Sequence, residues 1–296
     1  MKTVALLNQK NLPLLPDSVV RPTYDRSKLT AGIVHIGVGG FHRSHEAVYT
    51  DELLEKTGAT DWAICGVGLR EADRKVADIL EQQDYLYTLI VKHPDGRIEN
   101  RVVGSLIDFM LGCDDAAAVT DRMADEVTKI VSLTITEGGY NINAATGGFD
   151  FKNPDVKHDL ANPGNPRTVF GYLTAALKKR RAVGLPAFTV QSCDNIQHNG
   201  DVTRKMLLAF AEAQDADLAE WIEKEVCFPN AMVDRITPVT TPADIEYLEA
   251  EVGIKDKWPV TCEPFCQWVI EDKFSNGRPE WEAVDAQFVS DVTPYE

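Results

Sequence analysis

Several short stretches carry residues whose types and spacing could do chemistry. The first is Gly37-Val38-Gly39-Gly40-Phe41-His42-Arg43. Glycines let a backbone turn tightly and approach a pyrophosphate, and a helix starting there would offer free N–H donors and the positive end of its dipole. Gly37 and Gly39 fit the first two glycines of G-x-G-x-x-G, but His42 stands at the third. Gly37, Gly39, Gly40 and Phe41 are therefore cofactor-binding candidates, against the alternative of a glycine turn needed only for packing. A second stretch, Thr134-Ile135-Thr136-Glu137-Gly138-Gly139-Tyr140, also closes a strand-like run. Gly138 and Gly139 would permit close backbone approach, and Glu137 could face a nicotinamide or cap a helix.

A coenzyme of this kind usually meets an acid beyond the second strand, which holds the adenosine ribose hydroxyls. Arg70-Glu71-Ala72-Asp73-Arg74 offers two. Glu71 and Asp73 favour NAD, whereas Arg70 and Arg74 could tolerate the 2′-phosphate of NADP. A solvated acidic helix start is the plainer alternative. In Ser192-Cys193-Asp194-Asn195, Asn195 can donate an amide hydrogen to a developing alkoxide. Cys193 lacks any sign of a thiolate-stabilising neighbour. Finally, Val233-Asp234-Arg235-Ile236-Thr237-Pro238 puts a charged pair in an apolar run, which is costly unless paired or functional. Asp234 could hydrogen-bond a substrate hydroxyl, or it could simply face solvent, since neighbours on a strand point to opposite faces.

The elements that must position these residues alternate. Gly32–Gly37 and Trp62–Val67 read as buried strands, with helical character over 43–56 and again from Glu71. This β-α-β order predicts a parallel sheet. Tyr85–Val91 and Ile98–Val103 flank a Pro94-Asp95-Gly96 turn and predict an inserted antiparallel hairpin. Strands follow at Lys129–Thr136 and Ala187–Gln191, with helices at Thr168–Arg181, 201–214 and 216–226. Met232–Ile236, an acidic helix over 242–252, Trp258–Cys262 and Phe265–Ile270 complete the pattern. The fold class is α/β, a Rossmann-like doubly wound sheet with an inserted hairpin. Residues 1–30, with three prolines, read as a polar, partly extended arm. Residues 31–288 read as the dinucleotide-binding domain, and 289–296 as the start of another.

Composition narrows the partners. The 296 residues carry 30 Lys and Arg against 46 Asp and Glu, a net charge of −16. That field repels phosphate backbones and argues against nucleic acid. No apolar run nears the roughly 20 residues of a membrane helix, and the N-terminus lacks a signal peptide's apolar core. The six cysteines form no CxxC pair. They predict buried free thiols and a cytoplasmic location. A zinc site from Cys262, Cys266 and a distant histidine is the weaker alternative, so no metal is expected.

Taken together, the glycine turn, Thr136–Tyr140, Ser192–Asn195 and Val233–Pro238 resemble the polyol-specific long-chain dehydrogenases in order and spacing, from about residue 30 to the last residue. Within that family the chain is most similar to the branch that oxidises D-mannitol. The resemblance implies metal-independent hydride transfer from C2 of D-mannitol to NAD, giving D-fructose, with a lysine as general base and two asparagines on the oxyanion. Asn195 maps onto one of those asparagines, Asp234 onto a position near the substrate, and Asp73 onto the adenosine-ribose site. Val233 joins the cofactor-binding set. Ala72 stands where relatives can carry a second acid, which leaves NADP open. The lysine, the second asparagine, a substrate-binding histidine and the family's helical C-terminal domain would all lie beyond Glu296. The chain is thus expected to bind NAD weakly, to turn over essentially nothing and to expose an apolar patch. A polyol or ketose is the expected small-molecule partner; the sequence leaves the oligomeric state open, with a monomer slightly favoured. Two other readings are a fructuronate or tagaturonate reductase, which would need an extra cation for the substrate carboxylate, and a non-catalytic dinucleotide-binding module.

Overall fold

A computed structural model describes residues 4–296. Strand β1 (Ile33–Ile36) turns into α1 (Gly40–Ser44) and α2 (Glu46–Thr57), followed by β2 (Ile64–Gly68) and α3 (Arg74–Gln82). Strands β3 (Tyr87–Lys92) and β4 (Ile98–Val103) form a hairpin, after which β5 (Leu106–Leu111), α4 (Ala116–Ala124) and β6 (Ile130–Leu133) restore the alternation. Next come the one-turn α5 (Thr136–Gly139), α6 (Pro154–Ala161), α7 (Val169–Val183), β7 (Thr189–Ser192), α8 (Asn199–Gln214) and α9 (Ala216–Glu225). The last part adds β8 (Ala231–Asp234), α10 (Pro242–Tyr247), β9 (Val260–Cys262), β10 (Gln267–Glu271) and β11 (Gln287–Val289).

The main sheet has the order β5-β2-β1-β6-β7, and every neighbouring pair is parallel. All residues of β1, β2, β6 and β7 are buried. That is why these strands are short β-branched runs rather than alternating ones. One face packs α4, α7 and α8 through residues such as Phe170, Phe188 and Phe210. The other packs Tyr49, Leu53 and Leu54 of α2 with Trp268 and Trp281. The strand order reverses between β1 and β6, and such switch points open a crevice at the carboxyl ends of the strands.

Local signals fix the helices around this sheet. Thr168 accepts a hydrogen bond from Gly171 N at the start of α7, and Gly184, in the left-handed conformation, ends it. Asp115 accepts from Ala118 N and starts α4. Asp115→Ala should cost about 1 kcal/mol, read as a lower urea midpoint with an unchanged slope.

The hairpin β3–β4 is antiparallel, as its turn residues predict. It does not enter the main sheet, however. It forms a second sheet with β9 and Val19–Val20, while β8, β10 and β11 form a third. Strand β5 and helix α4 escape the periodicity reading because Asp108 interrupts the apolar run of an edge strand. The run from Lys129 ends at Leu133, since Thr136 takes a positive φ of 59°. The acidic segment 242–252 divides into α10 and a π-helical turn, Leu248–Val252.

The N-terminal arm departs most from expectation. Met1–Thr3 lie outside the described residues. From Val4 onward the arm is docked: Leu7, Leu12, Leu15 and Val19 are buried in a satellite core with Leu86, Ile90 and Leu248. Ala5–Leu6 pairs in parallel with Ile254–Lys255, and Val19–Val20 with Asn100–Arg101. Its prolines break helical periodicity without removing the apolar side chains. The cysteines are all free, but only Cys65, Cys193 and Cys262 are buried. Cys113 is exposed, and Cys227 and Cys266 are half-buried.

Candidate functional site

A cleft of about 840 Å³ lies at the carboxyl ends of β1 and β6. Its floor is the turn Gly37–Phe41. Gly37 has φ +97°, and a Cβ there would sit 2.1 Å from the Thr134 carbonyl oxygen, so only glycine fits. The turn is held by Gly37 N donating to Val67 O (3.0 Å) and Gly39 N donating to Gly37 O (2.7 Å). Thr134 Oγ1 also donates to Gly37 O (2.6 Å), tying the turn to the end of β6. Gly39 and Gly40 face open space, with nothing nearer to an added Cβ than Gly37 O at 4.0 Å and Thr237 Cγ2 at 3.5 Å. The first amides of a helix lack intrahelical acceptors, and α1 begins here, so this concavity suits an anion.

Beneath the turn lies a buried polar network that explains His42. Its ring stacks on His35, with centroids 3.5 Å apart and planes 14° apart, filling the space that the third glycine would leave. Glu46 Oε2 faces His35 Nδ1 at 2.9 Å and His42 Nδ1 at 3.2 Å, and accepts from Ser132 Oγ at 2.9 Å. His35 Nε2 lies 2.8 Å from Thr134 Oγ1, so the network reaches the Gly37 carbonyl through one hydroxyl. Burial, and then the charge of His35, push the His42 imidazole down to about 3. Burial likewise takes His45 to about 4. Burial alone would raise Glu46, but the charge and hydrogen bonds of the two histidines hold it well below the carboxylate range.

His35, His42 and Glu46 form a compact potential ligand set, their donor atoms within 4.8 Å of one another. The stacking argues against a shared ion. Stacked rings keep their ring-nitrogen lone pairs in two near-parallel planes, with ring centroids 3.5 Å apart, so one ion cannot lie in the plane of both, as good imidazole coordination requires. The geometry is that of a carboxylate hydrogen-bonded to imidazoles.

At the far wall, Asp73 lines the cleft. Its Oδ2 accepts from Arg70 N (2.9 Å) and its Oδ1 lies 3.5 Å from Arg70 Nη2. A Cβ on Gly68 would come within 2.5 Å of Asp73 Cβ, so the glycine that ends β2 gives this carboxylate its seat. The opposite wall is Thr134–Gly139. Asp194 accepts from Ile135 N and Thr136 N, both at 3.0 Å, and from Tyr140 OH at 2.8 Å. These contacts hold the strained Thr136 in place. Gly138 and Gly139 line the cleft, whereas Glu137 does not.

The substrate-side candidates lie apart from the cleft lining. Asn195 and Asp234 are both exposed. Asn199 joins their segments: its amide donates to Asp194 O (2.9 Å) and Ala231 O (2.8 Å) and accepts from Ala231 N (2.9 Å). Beside Asn195, His198 N donates to Glu296 Oε1 at 2.8 Å. Arg235, on the opposite face from Asp234, is buried and donates to Ser44 O (2.6 Å) and Glu263 O (3.0 and 3.1 Å). The charged pair therefore splits: Arg235 clamps α1, and Asp234 is left to solvent. Val233 is buried in the aromatic core, and Thr237, Pro238 and Val239 of the same segment reach the cleft instead. Cys193 is fully buried with its thiol pushed up by burial, which removes it as a nucleophile.

Sequence reasoning missed Phe109, Arg167, Lys257 and Trp258, which also line the cleft. Arg43 bridges to the last of these, donating to Trp258 O at 2.6 Å. No local signal announces them, since the contact that brings Trp258 here joins residues 215 apart in the chain.

Residues 31–283 match the family model described as mannitol dehydrogenase Rossmann domain. The chain is 51% identical over 297 residues to a mannitol 2-dehydrogenase of Emericella nidulans, covering 98% of this chain and 59% of that protein. It is 49% identical over 293 residues to a polyol:NADP oxidoreductase of Gluconobacter oxydans, covering 98% and 60%. Among solved structures it is similar to the Pseudomonas fluorescens mannitol 2-dehydrogenase ternary complex with NAD and D-mannitol. There the TM-score is 0.96 and the identity 55%, over 98% of this chain and 59% of that one. The chain thus spans about 60% of the length of the curated relatives it matches.

Proposed function

The chain belongs to the mannitol dehydrogenase Rossmann-domain family, and from that premise we propose that it forms the coenzyme-binding part of an NAD-dependent polyol oxidoreductase. The proposed reaction is oxidation of D-mannitol at C2 to D-fructose. NAD bound in the cleft would supply the hydride acceptor. The observation that carries the reading is the glycine-only turn at the sheet's switch point, with a seated carboxylate at the far wall.

The chain's own residues would then act as follows. Amides of the Gly37–Phe41 turn hold the pyrophosphate. Asp73 accepts the adenosine ribose hydroxyls. The Thr134–Gly139 wall borders the nicotinamide, its backbone braced by Asp194. Asn195 donates to the C2 oxygen, which gains negative charge as its O–H proton passes to a general base and gives that charge up as the hydride leaves C2 for NAD, and Asp234 orients a neighbouring hydroxyl. Both are exposed and so free to meet a sugar.

Fluorescence titration with NADH tests the coenzyme half. Saturable quenching that Asp73→Ala weakens about tenfold, or 1.4 kcal/mol, is expected. A folded chain that leaves millimolar NADH unbound would refute the reading. For the substrate half, the purified gene product is assayed at 340 nm with D-mannitol and NAD, and the ketose is identified by chromatography. Reduction of fructuronate without any oxidation of D-mannitol would favour the sugar-acid activity instead.

A further inference from the structure

Two relatives of similar identity are named for different coenzymes, one a complex with NAD and one a polyol:NADP oxidoreductase. Similarity therefore leaves the choice between them to local chemistry. Two arginines stand close in sequence to Asp73 at the proposed ribose end, of which Arg70 lines the cleft and Arg74 does not, and the structure treats them differently. Arg70 lines the cleft and is shared with Asp73. Arg74 is turned onto two other carboxylates. Its Nε and Nη2 donate to Glu71 at 2.5 and 2.9 Å, and its Nη1 and Nη2 donate to Asp114 at 2.9 and 2.5 Å.

We propose that Glu71 and Asp114 are specificity-determining residues, which by occupying both bidentate edges of the Arg74 guanidinium withhold from a 2′-phosphate the cation it would need. The inference rests on the reading of the cleft as a dinucleotide site. A guanidinium has five N–H donors, and both of its carboxylate-facing edges are filled here. Asp114 is brought to this place by the main sheet. It lies just past β5, where Gly112 N donates to Gly68 O at 2.8 Å, next to the end of β2 and the seat of Asp73. Glu71 lies one turn before Arg74 on the same segment. A 2′-phosphate would bring up to two negative charges beside the Asp73 carboxylate. With Arg74 committed, Arg70 is the cation left in this segment, and it already contacts Asp73; the other cations of the lining, Arg43, Arg167 and Lys257, come from other segments. The pairing lowers both carboxylates and raises Arg74, consistent with a guanidinium that is held rather than offered. All three side chains are at least one-third exposed, so neutral substitutions there leave the core intact.

The test is titration of the chain with NADH and NADPH, for the wild type and for Glu71→Gln with Asp114→Asn. The double variant should bind NADPH about tenfold more tightly, with NADH changed by no more than about threefold. Adding Arg74→Leu should return NADPH affinity to the wild-type value. Unchanged NADPH affinity in the double variant overturns the proposal. So does a gain that survives Arg74→Leu, because the cation responsible would then be another. A wild type that binds neither coenzyme would sink the cleft reading itself, whereas NADH binding without the NADPH gain sinks only this inference.

Discussion

Gly37→Val is expected to abolish NADH binding, raising the dissociation constant more than about 100-fold (roughly 2.7 kcal/mol), and to destabilise the fold by about 2–4 kcal/mol. Two causes add. The residue sits at φ +97°, where a β-branched side chain is strained whatever the space around it. Its Cβ would also meet the Thr134 carbonyl oxygen at 2.1 Å, an atom of the backbone that cannot rotate away. Relief requires moving β1 away from β6, which opens the crevice and breaks the hydrogen bond from Thr134 Oγ1 to Gly37 O. Gly39→Ala is the informative partner. An added Cβ there meets only Gly37 O at 4.0 Å. It should unfold at nearly the wild-type temperature and still bind NADH about tenfold more weakly, because on the proposed reading the methyl group would stand where the pyrophosphate approaches. Calorimetry and fluorescence titration on both variants separate strain from occlusion. Wild-type NADH affinity in Gly37→Val would mean that this turn is not the phosphate site.

Acid should unfold the protein between about pH 4 and pH 5. His42 and His45 are buried and neutral, held at about 3 and about 4 against an ordinary 6.5. For a base depressed by folding, the unfolded chain binds the extra proton. Stability is then complete above about 6.5 and falls as pH drops toward the folded value. Each such group contributes a slope approaching about 1.4 kcal/mol per pH unit, so the pair approaches about 2.7. Glu46 acts in the same direction. Its folded carboxyl lies below the ordinary value of 4.5, so its contribution is present above that value and lost beneath it. Against a total stability of about 5–15 kcal/mol, these slopes decide the acid limit. Urea unfolding at half-unit steps from pH 7.5 to 4.5 measures the slope. A flat profile from pH 7 to 5 would show that neither imidazole is held neutral. NADH binding should fail in the same window, because the network that charges is the one bracing Gly37 through His35 and Thr134.

What the sequence disclosed, and what it hid, follows from how local each requirement is. The turn at Gly37 was legible because a left-handed, sterically closed position leaves its mark in one residue type. The place of Asp73 beside the end of the second strand was legible because that strand and the following helix are adjacent in the chain. Asp194 was singled out with its neighbours, yet its role as acceptor for Ile135 and Thr136 amides was invisible, since those partners lie 58 and 59 residues away. Val233 was assigned to the coenzyme from its segment, but a strand alternates its faces, and the buried face belongs to the core. Lys257 and Trp258 reach the cleft from an element remote in sequence, and no periodicity announces such a meeting. The β-α-β frame was readable from short buried runs. The second and third sheets were not, because their strands pair across distant parts of the chain.

The pairing of Ala5–Leu6 with Ile254–Lys255 sets a timetable for synthesis. At about 5–20 residues per second, the segment bearing Leu7 and Leu12 leaves the ribosome roughly 12–50 seconds before its partner strand exists. Throughout that interval the satellite core lacks Leu248, Val252 and Ile254, so these leucines can be covered only from the side of Leu86, Ile90 and Val102, and a chaperone or a protease can find the rest. Closure then spans some 249 residues between paired positions, but loop entropy grows only logarithmically with length. The delay is therefore one of translation rather than of search, and slowing the ribosome early in the message should lengthen it without changing the final fold.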